Sequence, residues 1–200
     1  MTQRATFTKG MIVDAAFEMT RKEGWAAVSA RSLARRLDSS TMPLYSILKS
    51  MEEVEKEVRA RAEALMHEFQ RRIYTDQTLL DAAVGYVIFA RDEPHLFRFI
   101  YVDRPVTQKM AASSSKTSRE LPSADAVGGT FDLVDQAAAA QQDPQVLLNW
   151  AFTHGLASLV SSHVIELSNE RISNLILQAS SSFYLQDKFL KKMNKGVKNE

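Results

Sequence analysis

The 200-residue chain has no cysteine, which excludes disulfides and thiolate metal sites and suits a reducing compartment. Prolines number five and glycines seven. So few breakers leave room for long helices, and Pro43, Pro94, Pro105, Pro122 and Pro144 each fall where a helix would start or stop. No apolar run approaches the roughly 20 residues that span a bilayer, and the opening MTQRATFTKG lacks the apolar core of a signal peptide. Strict apolar–polar alternation between turn signals is missing, so strands are not indicated. Chemical machinery is scarce as well. His67, His95, His154 and His163 stand without metal-ligand spacing, and there is neither a glycine-rich phosphate loop nor a nucleophile elbow. These absences lead to the expectation of a soluble, cytoplasmic, all-α protein with no membrane partner. It would hold no catalytic residue, metal or cofactor, and would not be an enzyme.

What is present is unevenly distributed. Net charge is only +1, yet residues 1–50 carry eight Lys/Arg against four Asp/Glu. The remaining 150 residues carry 17 basic and 20 acidic groups. A basic head on a mildly acidic body suits contact between that head and a polyanion.

Helical periodicity begins early. A first helix is expected over about Lys9–Glu23, with Thr8 as cap and Phe7 stapling onto Ile12. Its buried face carries Ile12, Ala15, Ala16 and Met19, and Gly24 is placed to end it in a left-handed conformation. A short second helix follows Ser29 and buries Leu33, Ala34 and Leu37; Asp38-Ser39-Ser40 turns the chain into a third over about Thr41–Leu48. Pro43 fits that third helix because its third residue lacks an intrahelical N–H partner anyway. The Ser40 hydroxyl is then expected to cap through the N–H of Met42. Ser50-Met51-Glu52-Glu53 fits a capping box opening a fourth helix of about 23 residues, with Val54, Val58, Ala62, Leu65, Phe69 and Ile73 along its apolar face. Further helices are expected over about 78–92, 94–103, 125–141, 144–166 and 169–190. A polar loop is expected over 111–124 and a frayed tail after Leu190.

Three short helices with a tight turn before the third follow helix-turn-helix logic, in which the third enters the major groove. Several spaced features agree in order: Ile12 to Ala16, Gly24-Trp25, Val28-Ser29, Ser32 to Leu37, Leu44-Tyr45, Ile47-Leu48 and Glu52-Glu53-Val54. Over Thr8–Val58 the chain resembles the DNA-binding domain of the TetR family of bacterial repressors. It departs at Asp38 and Ser39, where the family usually has Gly and an apolar residue, and at Leu48, where Phe is usual. The resemblance implies a helix-turn-helix DNA-binding domain over 1–50 and a helical effector-binding and dimerisation domain over 51–200. It places Thr41, Met42 and Pro43 at base edges, with Tyr45 and Lys49 on phosphates, joined by Ser29, Arg31 and Ser40 and in a wider ring by Thr8 and Ser50. Arg4 would reach a minor groove from a flexible arm, whereas Arg35 and Arg36 read as solvated charges.

The implied function is a ligand-responsive repressor, a homodimer on a palindromic double-stranded DNA operator, released by a small molecule. The alternative is a DNA-binding regulator or architectural protein without an effector. Phe97, Tyr101, Phe131, Trp150 and His154 are the candidate pocket residues, and such a lining suits an amphipathic or aromatic effector. An apolar stripe of Ile172, Leu175, Ile176, Ala179 and Phe183 faces either a second copy or the chain's own core. The preceding helix offers the small residues Ala151, Gly155, Ser158 and Ser162 for close helix approach.

Overall fold

A computed structural model describes residues 8–48, 50–103 and 143–197. Among these the secondary structure is helical throughout, without strands: α1 Lys9–Glu23, α2 Ala30–Arg36, α3 Thr41–Ile47, α4 Met51–Gln70, α5 Thr78–Asp92, α6 Pro94–Tyr101, α7 Pro144–Ser161 and α8 Asn169–Val197. The fold is all-α, as expected. Phe7, the expected helix over 125–141 and the loop over 111–124 lie outside the described residues. The described residues form two compact units, 8–65 with 93–103 and 66–92 with 143–197.

In the first unit, local chemistry sets the helix ends. The Thr8 hydroxyl accepts from the N–H of Met11 at 3.3 Å and caps α1. Gly24 closes α1 with φ 83° and ψ 162°. Its φ is positive as expected, but its ψ is extended rather than left-handed helical. That region is essentially restricted to glycine, and it redirects the chain into a single 3-10 turn, Trp25–Ala27. Ser29 and Ser32 close a reciprocal capping box on α2. At the other end of α2, Ser39 N–H donates to Ala34 O at 2.9 Å and Asp38 N–H to Arg35 O at 3.3 Å. This is a Schellman stop, with Asp38 at φ 50° in the left-handed position usually held by glycine. The turn geometry thus survives the departure from the family residue.

The Ser40 expectation is corrected, because its side chain makes no capping bond on α3. Proline at 43 removes the usual N3 donor, and among the described residues the hydroxyl has no hydrogen-bond partner. Ser50 does cap α4, accepting from Glu53 N–H at 3.3 Å. One continuous core joins Ile12, Val13, Ala16 and Met19 of α1 with Leu33, Ala34, Leu44, Leu48, Val54, Val58 and Phe99. Burying a Leu or Val side chain of this kind is worth about 1.5–3 kcal/mol. Phe99 enters this core because α6 is held at both ends. Both carboxylate oxygens of buried Glu93 accept from Arg21, with Nε at 2.7 Å from Oε2. At the far end, Arg59 Nη1 donates to the carbonyls of Phe99 and Ile100 at 2.7 and 3.3 Å. Its guanidinium also lies 4.2 Å from the Phe99 ring centroid.

In the second unit, the end of α4 packs on α5. The Phe69 and Phe89 rings meet edge-on at 5.6 Å. Gly85 lets the backbones touch, since a Cβ there would lie 2.3 Å from Phe69 O. The helix stops at Gln70, so Ile73 falls beyond it and is 87% exposed, not part of the apolar face. Buried Asp81 holds the following turn by accepting from Tyr74 N–H, Thr75 N–H and the Thr75 hydroxyl through Oδ1. Helices α7 and α8 pack on α5 and on each other. Ile172 and Ile176 of the apolar stripe are buried within this unit. Rather than fraying after Leu190, α8 continues to Val197. Among the described residues, no helix is long and apolar enough to cross a membrane, and no cluster of metal-ligating side chains occurs.

Candidate nucleic-acid interface

The α2–turn–α3 segment rests on its apolar residues and leaves its polar ones outside. On α3, Leu44 is buried and Ile47 half-buried, and Leu48 seals the end. The opposite face is open: Met42 is 81% and Tyr45 59% exposed, with Thr41 exposed beside them and Pro43 half-buried. Met42 and Tyr45 stand three residues apart on one helix face, where one partner surface could cover both.

The expected phosphate ligands are not chemically equal. Ser29 is exposed, but its hydroxyl donates to Ser32 Oγ and accepts from Ser32 N–H. A serine has one O–H to give, so Ser29 serves as a cap and has no free donor. Thr8 and Ser50 are engaged as acceptors in the caps of α1 and α4. Ser40 keeps its donor, and Arg31 is exposed on α2. Lys49 and Arg4 lie outside the described residues.

The candidate effector residues divide between the units. Phe97 and Tyr101 belong to the first, where their rings lie 5.2 Å apart and Phe97 is fully buried. Trp150 and His154 belong to the second, stacked at 5.5 Å with an interplanar angle of 16°. His154 Nδ1 is hydrogen-bonded to the Tyr86 hydroxyl at 2.8 Å. Burial disfavours the imidazolium and lowers the His154 pKa below its ordinary 6.5. Phe131 lies outside the described residues. Tyr86 was not anticipated from sequence. Its place in an apolar run gave no sign that its hydroxyl would meet a histidine 68 positions away.

Residues 79–174 match the family model described as the tetracyclin repressor-like C-terminal domain. This second stretch, like the first, is similar to the TetR family, and the likeness supports a regulator of that family. The match falls on the half of the chain where the resemblance of the first 58 residues does not reach, so two separate stretches point to one family. No curated protein matches the chain. Members of that family are transcription regulators, not enzymes, and the match supports the same role here.

Proposed function

We propose that this protein is a dimeric, ligand-responsive repressor of the TetR family that reads operator DNA with α3 and leaves it when a small molecule binds its second unit. The observation that carries the DNA reading is the exposed Met42–Tyr45 face on a helix anchored by buried Leu44. In this reading Thr41 and Met42 meet base edges, Met42 against a thymine methyl, and Pro43 packs beside them. Tyr45, Arg31, Ser40 and Lys49 hold phosphates and set register. Residues 1–50 are the DNA-binding part and 51–200 the effector and dimer part.

Dimerisation is supported by apolar surface left uncovered in the second unit. On α7, Leu148, Ala151, Gly155 and Leu159 lie at helical spacing and are exposed. On α8, Leu177, Tyr184 and Leu185 do the same, the last two 64% exposed. A second copy covering these faces would pair two recognition helices with half-sites about 34–36 Å apart. The stripe through Ile172 and Ile176 serves the intramolecular core instead. Effector binding is assigned to the Trp150–His154 stack and its Tyr86 partner, a flat, mostly apolar surface with a neutral imidazole that suits an aromatic molecule. Release is then a population shift toward a state in which the paired heads no longer match successive grooves.

The test is selection of bound duplexes from random DNA, followed by a search for compounds that release the winner. A palindromic winner and a releasing compound are expected. A regulator that binds DNA but responds to no compound would leave the architectural alternative.

A further inference from the structure

The arginines of the first unit fall into two populations. Arg21, Arg59, Arg61 and Arg98 each have an acidic partner, namely Glu93, Glu55, Asp14 and Asp103. Arg31, Arg35 and Arg36 on α2 have no ion-pair or hydrogen-bond partner among the described residues, although all three are exposed. Within this unit the other described arginines are paired with acids, whereas three on one seven-residue helix are left bare, so charge is available there. The three are not equivalent. Arg31 and Arg35 are one helical turn apart on the same face, about 6 Å along the axis. They line a cleft of about 400 Å³ with Asp38, Ser39, Ser40 and Thr41. Arg36, the next residue, does not line it.

We infer that this cleft seats a backbone phosphate of duplex DNA between Arg31 and Arg35, with the free Ser40 hydroxyl as a further donor. The inference rests on the DNA-binding reading and adds to it a residue, Arg35, that sequence alone assigns to solvent. Chemistry favours a phosphate over a base here. Two guanidinium groups offer donors only, and the hydroxyl can give one more, which suits phosphate oxygens. The same cleft opens beside Thr41, so a phosphate held in it fixes the height at which α3 meets the bases. Asp38 lines the cleft as well. Its carboxylate opposes the two arginines and holds the affinity of the seat down.

The experiment titrates a mixed-sequence duplex pool, and the tightest duplex selected from it, against wild type and variants over a fourfold range of salt. Each phosphate contact contributes about 0.9 to the slope of log affinity on log salt. Arg35→Ala should therefore flatten the slope by about 0.9 per bound protomer. Its affinity deficit should shrink about 3.5-fold per protomer as salt rises fourfold. The loss should be equal on every sequence. Arg35→Lys should retain the slope, Arg36→Ala should leave it unchanged, and Asp38→Asn should tighten binding on all sequences. All three sites are exposed, and thermal melting checks that the variants fold. Equal effects of Arg35→Ala and Arg36→Ala, or no effect of either, on a wild type that binds DNA would overturn the cleft and leave the DNA reading standing. A wild type with no salt-dependent affinity for duplex would overturn both.

Discussion

One methyl group, added at two helical glycines, should act with opposite sign. At Gly85 a new Cβ would lie 2.3 Å from Phe69 O and 2.7 Å from both Phe69 C and Gln70 Cα. All three are backbone atoms, so no side chain can swing aside. Restoring ordinary contact requires α4 and α5 to separate by about 1 Å, loosening the packing along both helices. Overpacking costs about 1–3 kcal/mol, and a backbone obstacle belongs at the upper end. Against this, replacing glycine by alanine in a helix recovers about 1 kcal/mol. Gly85→Ala should therefore destabilise by about 2 kcal/mol net, which lowers the melting temperature of a chain this size by about 4–8 °C. At Gly155 nothing lies within 4 Å of the added atom, and the propensity gain stands alone: about 1 kcal/mol of stabilisation within one copy. The proposed dimer adds a second readout. If Gly155 lies where two copies cross, the same methyl must weaken association, seen by sedimentation over a range of concentrations. Thermal melting and urea titration measure the first effect. A neutral Gly85→Ala, or a Gly155→Ala that destabilises the single copy, would refute the packing argument.

Other outcomes follow from the same geometry. Leu44→Ala should cost about 2–5 kcal/mol of stability because it empties a buried site under α3, whereas Met42→Ala should change stability by less than about 0.5 kcal/mol yet alter DNA preference. In a base-substitution series on the selected duplex, Thr41→Ala should relax preference at one position per half-site; a uniform loss would remove Thr41 from the base-reading set. Asp38→Gly should raise stability by about 1 kcal/mol, since Asp38 occupies a left-handed conformation at φ 50°, and an unchanged urea midpoint would contradict that. His154 is held below its ordinary 6.5. The unfolded chain therefore binds the proton more readily, so stability is full at neutral pH and is lost as pH falls below about 6.5 toward the lower folded value. His154→Gln should flatten that part of the stability–pH profile, and an unaltered profile would show that His154 does not supply it.

Much of the head is legible before any coordinates. The caps at Thr8, Ser29 and Ser50 and the bounds of α1, α2 and α5 follow from interactions within four residues, and such signals are written locally. The same locality explains the errors. Ser40 looked like an ordinary cap because the sequence names the residue and not the direction its hydroxyl takes. Ile73 continued a helical period that the backbone abandons at Gln70. The α8 stripe was visible, but periodicity identifies an apolar face without naming what covers it. Here Ile172 and Ile176 turn inward, leaving Leu177, Tyr184 and Leu185 outside.

By itself, then, the order of residues determined that this chain is helical, where most helices begin, and that residues 41–48 form a short helix with one apolar side. Spacing, caps and breakers act over a single turn, and no distant partner is needed to read them. Tertiary structure alone decided that Glu93 and Arg21 clamp α6 to the head, that Tyr86 reaches His154, and that Arg35 shares a cleft with Ser40 while Arg36 does not. Those relations join residues on different elements. Packing sets the distances between them, and distance is what turns a charge or a hydroxyl into part of a site.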